Sequence, residues 1–163
     1  LGFFLIFIMF FSVAEYSFLS FNQNDQKNPV TPATAYNGFE FSEQNGYWIL
    51  EKDGNNFIFS YNPNEIKRIN TIISPFENYN GKILYLVSNN SITESEIRVN
   101  LAQFVADIKN VQKENCEQNT IILREGAENK ITQKNNCVYL EGKNEDLTKI
   151  TDEFLFKLLE ITN

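Results

Sequence analysis

The sequence predicts an α+β or α/β domain that follows an N-terminal hydrophobic helix, and three observations carry that expectation. Leu1 to Phe21, LGFFLIFIMFFSVAEYSFLSF, is almost wholly apolar, with Glu15 as its only charge. Aromatic and β-branched runs between Gly38 and Tyr61 are split by Asn45-Gly46 and Asp53-Gly54, dipeptides that suit tight hairpin turns. Farther on, the apolar run Lys82-Ile-Leu-Tyr-Leu-Val-Ser88 precedes apolar residues at helical spacing, the pattern of a buried strand and a helix that packs on its sheet. The expected architecture is an antiparallel three-strand meander joined to a mixed sheet covered by two amphipathic helices.

The first stretch decides location. As a helix, Leu1 to Phe21 covers about 31 Å, enough to span a bilayer, whereas the uninterrupted run to Ala14 covers only about 21 Å. A retained anchor competes with a secretory signal, for which Ser12-Val13-Ala14 supplies small cleavage-site residues. Phe3, Phe4, Phe7, Phe10 and Phe11 lie all round the helix, which disfavours a core helix because no polar face is left. Anchor and signal both export the remainder, so the main domain is expected outside the cytoplasm, with the lipid bilayer as the partner of residues 1–21. No Lys or Arg precedes Lys27, so flanking charge sets no orientation, and the missing initiator Met leaves room for residues before Leu1. Residues 22–37 are polar and hold Pro29 and Pro32; they read as an extended linker to a single domain over 38–163.

Composition excludes several classes. The 14 Lys and Arg against 21 Asp and Glu give a net charge of −7, which argues against nucleic acid as a partner. Histidine is absent, which removes Ser-His and Cys-His nucleophiles and the commonest zinc ligand. No glycine-rich phosphate loop, nucleophile elbow or metal cluster is present, so neither cofactor nor metal is expected.

After the meander (Phe39 to Ser42, Tyr47 to Lys52, Phe57 to Tyr61), Asn62-Pro63 breaks the chain, and Asn64 to Ser74 fits a short helix or a strand. Thr93 and Glu96 form a capping box, and Ile97, Leu101, Phe104, Val105, Ile108 and Val111 carry a helix to about Lys113. Strands follow at Thr120 to Arg124, Lys130 to Gln133 and Val138 to Glu141. Strand, helix, strand implies a crossover between parallel neighbours. Leu147, Ile150, Phe154, Leu155, Leu158 and Leu159 then make an amphipathic helix over Glu145 to Ile161.

Cys116 precedes the strand at Thr120, and Cys137 follows the strand that ends near Gln133. If those two strands form a hairpin, the sulfurs come close and form a disulfide. Its loop of about 20 residues contributes roughly 3 kcal/mol and suits an oxidising compartment. Asn89-Asn90-Ser91 is the one Asn-x-Ser/Thr sequon, which makes Asn89 a candidate glycan acceptor. Tyr47, Trp48, Phe57 and Tyr61 are candidates for an aromatic interaction surface, against the alternative that they fill the core. Glu51, Asp53, Glu141 and Asp146 are the carboxylates that convergence would turn into an acid–base pair.

The runs Tyr36-Asn-Gly-Phe-Glu-Phe, Gly46-Tyr-Trp-Ile and Phe57-Ile-Phe-Ser-Tyr-Asn-Pro63 resemble a pattern in uncharacterised archaeal proteins with one N-terminal span. So do Asn136-Cys-Val-Tyr-Leu-Glu-Gly142, Asp146-Leu and Asp152 to Ile161, giving a similarity over about half of the chain. The family has no assigned activity, so the resemblance implies an anchored, cysteine-bridged envelope domain; the departure is the absent basic start before the span. The leading expectation is a non-enzymatic subunit that binds another envelope protein or itself. The alternatives are a surface-filament subunit packed through its apolar helix and a carboxylate-dependent envelope hydrolase.

Overall fold

A computed structural model of the chain describes residues 33–162, which form two β-sheets and two α-helices. The apolar segment expected to span a bilayer, and the linker as far as Pro32, lie outside the described residues. Among the described residues no helix is long and apolar enough to cross a membrane.

The first sheet is an antiparallel meander of four strands, β1 (Ala33–Tyr36), β2 (Phe39–Gln44), β3 (Tyr47–Lys52) and β4 (Asn55–Phe59), in the order β1-β2-β3-β4. The expected meander had three, with Ala33–Tyr36 in the linker; a third turn, Asn37-Gly38, folds that segment back onto β2 instead. All three turns pair an Asn or Asp at φ 48 to 53° with a Gly at φ 75 to 83°, backbone that Asn, Asp and Gly adopt most readily. Register places Phe41, Leu50 and Phe57 side by side on the inner face, all of them buried.

The second sheet contains β5 (Ile83–Val87), β6 (Asp107–Asn110), β7 (Thr120–Glu125), β8 (Lys130–Lys134) and β9 (Cys137–Gly142) in the order β6-β5-β7-β9-β8. Strands β6, β5, β7 and β9 run parallel, and only β8 is antiparallel to its neighbour. Its inner face buries Leu84, Leu86, Ile121, Leu123, Val138 and Leu140.

Helix α1 (Ser91–Leu101) is shorter at its C-terminus than its apolar spacing suggests and starts earlier. Its cap is Asn90, whose side chain accepts from the N–H groups of Ile92 and Thr93; the expected capping residues Thr93 and Glu96 are buried instead. The helix stops at Leu101 because the backbone from Ala106 to Val111 pairs with β5. Ala106 N–H donates to Lys82 O at 2.9 Å and Val111 N–H to Leu86 O at 2.8 Å, so Ile108 belongs to β6.

Helix α2 (Leu147–Leu158) is buried on nearly every side, since it lies between the two sheets. Phe156 meets Phe41 and Phe59 of the first sheet at centroid distances of 5.9 and 4.6 Å. The same helix packs on β7, β8 and β9. Gly142 admits that approach, because a Cβ there would lie 2.3 Å from Ile150 Cδ1.

Candidate functional site

Polar side chains of the two helices gather at the outer edge and end of β4, where the backbone has no strand to pair with. Asn100 Oδ1 accepts from Ile58 N–H at 2.8 Å, and its Nδ2 donates to Ile58 O at 2.7 Å, the bonds a neighbouring strand would make. Glu96 accepts from Ser60 N–H at 2.7 Å and Asp152 from Tyr61 N–H at 2.9 Å. A short way along, Glu153 accepts from Ile69 N–H at 3.2 Å.

The Glu96 and Asp152 carboxyl groups are close enough for each to shift the other's proton affinity. Glu96 Oε2 and Asp152 Oδ1, both buried, have no hydrogen-bond partner among the described residues, a need that one proton shared between the two carboxyl groups would meet. Burial, and then the charge of Glu96, push the Asp152 carboxyl well above the usual carboxylate range. Burial also raises Glu96 and Glu153, the latter partly offset by Ile69 N–H, Arg68 and Lys157. The pair is closed to solvent, so its chemistry is that of a latch between helices and sheet.

Solvent reaches the molecule differently at the carboxyl ends of the parallel strands. There, Ser88 and Asn89 leave β5, Gln112 to Glu114 leave β6, and Ile122 to Arg124 end β7, around a cleft of about 480 Å3. In the order β6-β5-β7 the chain leaves β5 toward β6 on one side, while β7 lies on the other and neighbours β9. Open parallel sheets take ligands at such a divergence. Ser88 Oγ accepts from Asn90 N–H at 3.0 Å and donates to Asn90 O at 3.1 Å, which fixes the loop and leaves Asn89 exposed.

The far wall is held by the disulfide. Cys116 and Cys137 are bridged with their Cα atoms 4.9 Å apart. The strands after and before them do not form the hairpin that the sequence suggests, because β9 lies between β7 and β8. Proximity comes from the parallel pair β7–β9, where Cys137 sits opposite Thr120. The Tyr139 hydroxyl lies 3.5 Å from Cys116 Sγ, and burial followed by the charge of Glu114 raises its pKa.

The four expected carboxylates do not converge. Glu51 is exposed on β3, Asp53 pairs with Lys52 at 2.8 Å in the next turn, and Asp146 reaches Lys149 at 3.9 Å. Glu141 is bound by Arg124 at 2.8 Å and Lys130 at 3.1 Å; although burial works to raise its pKa, these two cations bring it below the usual value. The aromatic candidates do not form one exposed surface either. Tyr47 is 51% exposed, but Trp48, next to it on β3, faces the opposite side and packs on the core. Phe57 is buried and stacks on Phe104 at 5.7 Å, and Tyr61 is half-buried with Lys149 Nζ 5.3 Å from its ring centre.

Sequence reasoning missed the Glu96–Asp152 pair and Asn100, which sit among apolar helix positions, and missed the cleft, which depends on sheet order. Comparison of the chain with protein-family models, curated proteins and solved structures finds no match.

Proposed function

We propose that this chain is a membrane-anchored extracytoplasmic domain that acts as a non-enzymatic interaction or assembly subunit of a cell envelope. The Cys116–Cys137 bridge carries the reading, because such bonds persist outside a reducing cytosol. The apolar stretch Leu1 to Phe21 supplies the means of export and attachment. A hydrolase acting through paired carboxylates finds less support, since the pair that forms is shut away from solvent and binds backbone amides. Ile92 and Val99, exposed two turns apart on one face of α1, are apolar side chains that a partner would cover there. Asn89, exposed beside the helix cap, is the residue on which an envelope glycan would be carried.

Detergent phase partitioning, together with labelling of intact cells by a membrane-impermeant amine reagent, tests the proposal. The expected result is a chain in the detergent phase whose lysines are labelled without lysis. A chain in the aqueous phase, labelled only after lysis, overturns it.

A further inference from the structure

We propose that the cleft at the carboxyl ends of β5, β6 and β7 binds a small ligand by its carboxylate group. The chain carries a net charge of −7, yet this cleft has Lys113 and Arg124 on its wall against Glu114, and the carboxylate that binds Arg124, Glu141, is shared with a third cation, Lys130. Lys113 is exposed and has no carboxylate within salt-bridge reach among the described residues. Arg124 directs Nε and Nη2 to Glu141, each at 2.8 Å, which leaves Nη1 without a protein partner among the described residues. Two cationic donors facing an open cleft fit a singly charged oxyanion.

The rest of the wall sets the size and character of the ligand. Val87 and Ile122 provide apolar surface, while Gln112 offers a neutral donor and acceptor. A volume of about 480 Å3 falls in the range of small-molecule sites and suits a monosaccharide or a dipeptide. Phosphate fits less well at the start of α1, because its amides Ile92 and Thr93 N–H are both taken by Asn90 Oδ1 at 3.1 Å. Two further depressions among the described residues lack this bias. The cleft of about 700 Å3 beside the start of α2 sets Glu65, Glu128 and Asp146 against Lys67, Arg68 and Lys149. The concave outer face of the first sheet has only acidic charges, Glu40, Glu51 and Asp53. Cys116 lies two residues beyond Glu114, so the disulfide fixes the wall that bears Lys113.

The carboxylate has two sources in an envelope, a uronic acid of a glycan and the free C-terminus of a short peptide. Ligand-observed NMR on the full chain in detergent separates them with glucuronic acid against glucose and alanyl-alanine against its C-terminal amide, with inorganic phosphate as a third probe. The expected result is saturable binding of at least one acid, with its neutral twin about tenfold weaker or more; the acid that binds identifies the source. Lys113→Gln should weaken that acid about tenfold, while Lys134→Gln, at the other end of the sheet, leaves it unchanged. An unchanged unfolding midpoint for Lys113→Gln shows that the loss is local. Equal binding of acid and neutral twin overturns the proposal. So does phosphate binding more tightly than both acids, no effect of Lys113→Gln, or no binding of either acid at about 10 mM.

Discussion

Asn100 stands in for a missing strand. Its amide meets both the N–H and the C=O of Ile58 and also donates to Glu96 O at 2.9 Å, so one buried side chain completes β4 and ties it to α1. Replacing it by Leu preserves volume but leaves both Ile58 groups without partners, and a loss of about 2–4 kcal/mol is expected in urea unfolding. A loss under about 0.5 kcal/mol would show that water replaces the amide at no cost. Gly142 is constrained by space: Gly142→Ala drives a methyl group into Ile150 and Asn129, and about 1–3 kcal/mol of destabilisation is expected from the same measurement. Cys137→Ser opens the one bridge and should cost about 3 kcal/mol, a difference that vanishes when both proteins are unfolded in reductant.

At the scale of elements, the contact between α1 and α2 carries the pH dependence. The folded state holds the Asp152 proton to higher pH than the unfolded chain does, because burial and Glu96 raise its pKa. Stability contributed by the pair is therefore complete below the ordinary carboxylate range, and falls as pH rises from about 4 through the raised value. Asp152→Asn keeps the bond to Tyr61 N–H and supplies a permanent donor to Glu96. Its melting temperature should gain on the native protein as pH rises; a difference that is constant with pH would rule out the shared proton. The sequence makes the hairpin turns legible because left-handed backbone at Asn45-Gly46 and Asp53-Gly54 is a local requirement. The same dipeptide at Asn37-Gly38 predicts β1 equally well, but the polar composition of Ala33–Tyr36 hides the strand among linker residues. The apolar spacing of Phe104 and Ile108 continues the period of α1 by coincidence, and pairing with β5, which is not local, overrides it. The two cysteines are legible as a pair, whereas the strand between β7 and β8 is not.

For the whole molecule, two sheets share one core through α2, and the polar network at β4 decides how the first sheet seats on the helices. The proposed ligand cleft is a property of strand order, so no single segment announces it. A bridged domain that follows an apolar N-terminal stretch is the basis for the proposal that the chain belongs to an envelope. The most direct measurement is mass-tag alkylation of thiols in cells quenched with acid, with and without prior reduction. No tag is expected on the unreduced chain, and two tags are expected after reduction, at Cys116 and Cys137. Two tags without reductant would contradict it, since the thiols would then be free in the compartment where the protein resides.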